Sequence, residues 1–91
     1  MAQAAQRRAD YDEIIADPLF KLGYAHIFDD IEPVFDVNWA DGEQEAYARG
    51  RQFGVVVKTA GEGYLPLMRG GLAHPRAKLL LMLAMRAGDV L

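Results

Sequence analysis

The side chains of this sequence that could do chemistry are its carboxylates and two histidines, His26 and His74. His26 stands three and four residues before Asp29 and Asp30, so on a helix the trio shares a face and could hold a metal ion. Two carboxylates beside a lone histidine are more often a plain surface group, and no metal is expected here. A calcium loop starting at Asp36 fails in register: Asn38 suits the third position, but Ala40 occupies the fifth, Asp41 stands where glycine belongs, and Tyr47 replaces the closing glutamate. Asp29 and Asp30 are adjacent, so on a helix they diverge and do not converge on one substrate. There is no serine and no cysteine, and Thr59 is the sole threonine, which leaves almost no hydroxyl or thiol nucleophile. Gly61-Glu62-Gly63 is too short for a phosphate loop and lacks the lysine and hydroxyl that would complete one. The residues therefore predict a non-enzymatic protein without a cofactor.

The carboxylates are more informative as a surface. Residues 29–45 carry Asp29, Asp30, Glu32, Asp36, Asp41, Glu43 and Glu45 with no lysine or arginine. Residues 46–91 carry seven basic side chains, Arg49, Arg51, Lys58, Arg69, Arg76, Lys78 and Arg86, against Glu62 and Asp89. Such segregation is the chain's most unusual feature. Phe35 and Trp39 lie among the acids, with Phe28 just before them, and aromatic anchors with a charged rim are the composition of protein interfaces. A solvated loop and a helix start whose acids suit the helix dipole would account for the same residues. The sharper expectation is a partner-binding surface made of Asp29, Asp30, Glu32, Phe35, Asp36, Trp39, Asp41, Glu43 and Glu45, aimed at a basic partner. The pI near 5.2 argues against direct nucleic-acid binding by the basic half, whose cations are expected to neutralise the acidic segment within the fold.

These residues need elements to position them. At 91 residues, with 52% apolar and 25% charged side chains, the chain suits one globular domain over 1–91. Without cysteine, disulfides are excluded, which leans towards a reducing compartment. Residues 1–10 lack the apolar stretch of a signal peptide and are expected to fray. The longest apolar run, Leu79 to Met85, is far short of the roughly 20 residues that cross a bilayer. A cytoplasmic protein is expected.

The pattern predicts a mostly α fold of three or four helices. Ala2–Ala16 has helical propensity, with Tyr11, Ile14 and Ile15 on its apolar side. Asp17 can cap and Pro18 can open a second helix to about Asp30, although Gly23 weakens it. Glu32-Pro33 breaks that helix, and Pro33 to Ala40 reads as an extended loop. Asp41 with Gln44 resembles a capping box and starts a third helix, where Gly50 and Gly54 stack on one side and would admit a close neighbour. Val55-Val56-Val57 fits either a continued helix or a strand, so a short hairpin at 53–68 stays open. Pro75 opens the clearest helix, which Gly88 ends. That helix is apolar almost all round, so it is either a central core helix or presents one face to a partner, including a second copy of this chain in a homodimer.

The stretch "EAYARGRQFG", with the segment "GYLPLMRGGLAHPRAKLLLMLAMRAGDVL" that follows, resembles small bacteriophage and prophage accessory proteins. The resemblance is carried by Tyr47, Gly50, Arg51 and Phe53, then a Gly/Pro link and an apolar last helix. Small acidic phage proteins of this kind resemble anti-CRISPR and other anti-defence inhibitors. The resemblance implies an inhibitor that acts in the bacterial host's cytoplasm on the basic nucleic-acid-binding groove of a defence complex. The same stretch is similar to ribosome modulation factor, a strongly basic family, whereas this chain is acidic.

Overall fold

A computed structural model of the chain describes residues 10–91. The fraying expected of residues 1–10 therefore falls, Asp10 aside, outside the described residues. The described chain is mostly helical, with one two-stranded hairpin.

Helix α1 spans Tyr11–Ala16 and α2 spans Pro18–Phe28. Asp10 caps α1 through a hydrogen bond to its carboxylate from the Glu13 amide (3.1 Å). Asp17 caps α2, accepting from the Leu19 amide at 2.8 Å, with Pro18 in the first turn. A loop leads to α3, Asp41–Thr59. Strands β1, Met68–Arg69, and β2, Leu72–Ala73, pair antiparallel, and α4, Pro75–Ala87, closes the fold. His74 caps α4 with its ring nitrogen, and Gly88 ends the helix in the left-handed conformation (φ 83°).

Helices α2 and α3 form the scaffold, and glycine sets their distance. A Cβ at Gly23 would strike the Tyr47 carbonyl of α3, and one at Gly50 would strike the Phe20 carbonyl of α2. Gly54 faces the Ile27 side chain in the same way, at 2.7 Å from an ideal Cβ. The Gly50 and Gly54 spacing thus does admit a close neighbour. Gly23, which by propensity weakens α2, is the matching notch on the other helix.

An aromatic core fills the space beside this crossing. Phe20, Tyr24 and Phe53 are buried, with ring centroids 5.7–5.8 Å apart for Phe20–Phe53 and Tyr24–Phe53. Ile15 of α1, Val57 of α3, Leu65 and Leu67 of the connecting loop, Ala77 and Leu81 of α4, and Val90 complete it. The Tyr24 hydroxyl donates to the Leu65 carbonyl at 2.6 Å and accepts from the Leu65 amide at 3.1 Å, which pins that loop to α2. Burial pushes the Tyr24 phenol from its ordinary 10.0 up to about 12, against the opposing effect of the Leu65 hydrogen bond.

The hairpin lies elsewhere than the open alternative at 53–68. Val55, Val56 and Val57 continue α3, because Phe53 and Val57 share its buried face and that period outweighs β-branching. The turn is Gly70-Gly71, both at positive φ (60° and 83°), the geometry that suits a two-residue hairpin. The start of α3 also moves by one residue, and only the glutamate half of a capping box forms there. Ala40 is the N-cap of α3, its amide donates to the Glu43 carboxylate (2.8 Å), and Gln44 instead reaches the Trp39 carbonyl (3.2 Å). Helix α4 is not enclosed on all sides: it buries Ala77, Leu81 and Ala84, while Leu79 and Leu83 are 41% and 47% exposed. No described helix is long and apolar enough to cross a membrane.

Candidate functional site

The loop from Asp29 to Ala40 is held by its ends and by one tyrosine. Asp29 follows the last turn of α2, and Asp30 takes a left-handed conformation (φ 56°), which aspartate tolerates better than most residues. The Ile31 amide then returns to the His26 carbonyl at 2.8 Å. Arg51 of α3 reaches out to donate to the Ile31 carbonyl, also at 2.8 Å. In the middle of the loop the Val34 amide donates to the Tyr47 hydroxyl (3.1 Å). Further on, the Asp36 carboxylate accepts from the Asn38 amide (2.8 Å), and the Trp39 amide returns to the Asp36 carbonyl (3.0 Å), so residues 36–39 form a tight turn.

Tyr47 is the hub of this arrangement. Its ring is buried against Trp39, with centroids 5.2 Å apart, and meets the His26 ring edge-on. Its hydroxyl lies 2.8 Å from His26 Nδ1 and 3.5 Å from an Arg51 guanidinium nitrogen. The loop and the hub enclose a groove of about 420 Å³ lined by Pro33, Val34, Phe35, Trp39, Tyr47 and Arg51. Phe35 and Val37 stand out from the loop, 70% and 79% exposed.

The expected partner-binding residues distribute unevenly over this surface. Phe35 and Trp39 meet in the groove. Asp30 and Glu32 line a neighbouring depression of about 370 Å³ with His26, Arg51 and Lys58. Asp41 and Glu43 project from the first turn of α3, and Asp29 from the end of α2. Two of the seven acids are already matched from the C-terminal half: Asp30 by Lys58 and Glu45 by Arg49, each at 3.6 Å. Among the described residues, Asp29, Glu32, Asp36, Asp41 and Glu43 make no ion pair. Among the described residues the acidic surface is thus only partly neutralised, and exposed pairs of this kind are worth at most about 1 kcal/mol. Arg76 and Lys78, expected to neutralise this segment, instead pair away from it, with Glu62 and Asp12. Arg76 holds the Glu62 carboxyl below its ordinary range.

His26 turns its Nδ1 to Tyr47 rather than towards Asp29 and Asp30, and no group of three His, Asp or Glu side chains among the described residues could hold a metal ion. Nothing in the local sequence marks Tyr47 as the residue that holds the loop. That its hydroxyl organises the loop follows from tertiary placement, since Val34 lies 13 residues away in the chain and His26 lies 21.

Comparison with protein-family models, curated proteins and solved structures gives no match. The site is therefore read from its own geometry.

Proposed function

We propose that this chain is a non-enzymatic binding protein that docks its 29–45 surface on a basic groove of a partner protein. The observation that supports this most is the juxtaposition, on one loop and one helix start, of exposed Phe35 and Val37 and half-buried Trp39 with five carboxylates that make no ion pair among the described residues. Phe35 and Val37 supply apolar area, and the Trp39–Tyr47 stack gives that area a firm base. The carboxylates supply complementarity to cations and speed encounter with them. The finer proposal, an anti-CRISPR-like inhibitor of phage origin whose partner is a nucleoprotein of the host's defence, rests on the resemblance at Tyr47, Gly50, Arg51 and Phe53. Within this fold Tyr47 holds the loop, Gly50 sets the helix approach and Phe53 fills the core.

The test is capture of partners from bacterial lysate, followed by titration of the captured protein at about 0.1 M and about 1 M salt, across which the screening length falls from about 10 Å to about 3 Å. The reading predicts that affinity falls with salt and that Asp29→Lys/Asp30→Lys/Glu32→Lys loses binding. Salt-independent affinity with no loss in the triple variant contradicts it.

A second reading has its own observation. Leu72, Leu79 and Leu83 form exposed apolar positions on β2 and α4, as a homo-oligomer joined through the last helix would require. Light scattering at low micromolar concentration tests it, and a clean monomer contradicts it.

A further inference from the structure

We propose that His26 is a pH-sensing residue that controls how the 31–40 loop is presented, an inference that rests on reading that loop as the docking surface. The Tyr47 oxygen has two lone pairs and already accepts from the Val34 amide (3.1 Å) and, at longer range, from Arg51 (3.5 Å). The proposal puts the Tyr47 hydrogen on His26 Nδ1, 2.8 Å away, with that nitrogen as the acceptor and the imidazole neutral. Protonation puts a hydrogen on Nδ1, so two donors then face each other across this contact and a second cation stands beside Arg51.

The structure offers the protonated ring somewhere else to go. Around His26 stand Tyr47, Arg51 and Lys58 on α3, Asp29 and Asp30 beyond it at the end of α2, and Glu32 on the loop. Asp30 is engaged by Lys58, whereas Glu32 makes no ion pair among the described residues. A turn of the ring towards these carboxylates exchanges the Tyr47 contact for an ion pair. The Tyr47 hydroxyl then loses its acceptor, its hold on the Val34 amide weakens, and the loop that carries Phe35 and Trp39 loosens from α3. Helices α2 and α3 stay together, since Gly23, Gly50 and Gly54 pack them independently of this contact.

Trp39 is the chain's only tryptophan and stacks on Tyr47, so it reports the state of the loop directly. Its emission is measured on the free chain from about pH 8 to about pH 5, the window in which histidine changes charge, with far-ultraviolet circular dichroism recorded alongside. The expected result is a shift to longer wavelength on acidification at constant helix content, abolished in His26→Gln. Tyr47→Phe, which keeps the ring and removes the hydroxyl, abolishes it too and serves if His26→Gln does not fold. His74→Asn, which retains a capping side chain on α4, keeps the shift. A flat titration in the unmodified chain overturns the proposal, as does the same shift in His26→Gln or its loss in His74→Asn. Because no partner is present, failure here leaves the docking reading standing, and failure of salt-dependent binding leaves this measurement unaffected.

Discussion

Three glycines and two tyrosines do the most at the residue scale. Gly50→Ala improves helix propensity by about 1 kcal/mol but drives a methyl into the Phe20 carbonyl. Backbone cannot swing aside as a side chain can, so overpacking wins, and a net loss of about 1–3 kcal/mol is expected from urea denaturation. Tyr24→Phe keeps the ring contacts and leaves both the amide and the carbonyl of Leu65 without their partner, so a loss of about 1–3 kcal/mol is expected. The same phenol makes folding sensitive to alkali. Its pKa is about 12 when folded and near 10.0 when unfolded, so the unfolded chain loses its proton first. Stability is intact below pH 10.0 and falls as pH rises from there towards about 12. Tyr24→Phe removes that part of the fall, which a urea midpoint series against pH will show.

Local signals and tertiary demands divide the elements clearly. The starts of α2 and α4 and the stop at Gly88 were legible because capping is local: Asp17-Pro18, His74-Pro75 and Gly88 satisfy helix ends within a few residues. His74→Ala removes the side-chain acceptor for the Arg76 amide and should cost about 1 kcal/mol, read as a lowered melting temperature. The hairpin falls at 68–73 and not at 53–68, the alternative that the three valines leave open. The valines follow the helical period of Phe53 and Val57, and the glycines supply the two positive φ angles of the turn. The start of α3 slipped by one residue because Asp41 looks like a better cap than Ala40. It is the Glu43 carboxylate, reaching back to the Ala40 amide, that decides the boundary. In the candidate site, the acidic surroundings single out Phe35 and Trp39 in the sequence, and the structure places both in one groove. The pairing of Asp30 with Lys58 and of Glu45 with Arg49 was foreseen only as a general neutralisation. The role of Tyr47 depends on partners 13 and 21 residues away and has no local signature.

Two surfaces stand out at the scale of the molecule. Among the described residues, the loop and the start of α3 carry most of the carboxylates without an ion pair, together with Phe35 and Trp39, and β2 with α4 carries exposed leucines. The proposed docking role belongs to the first surface, and it makes location, not net charge, the deciding quantity. That can be measured on the intact chain with an arginine-rich peptide as the probe, titrated at low salt. Asp29→Lys/Glu32→Lys is compared with Glu13→Lys/Asp89→Lys, a pair that changes net charge equally at positions outside the 29–45 surface. The account predicts that the first pair abolishes binding and the second leaves most of it. Equal losses from both pairs would contradict it.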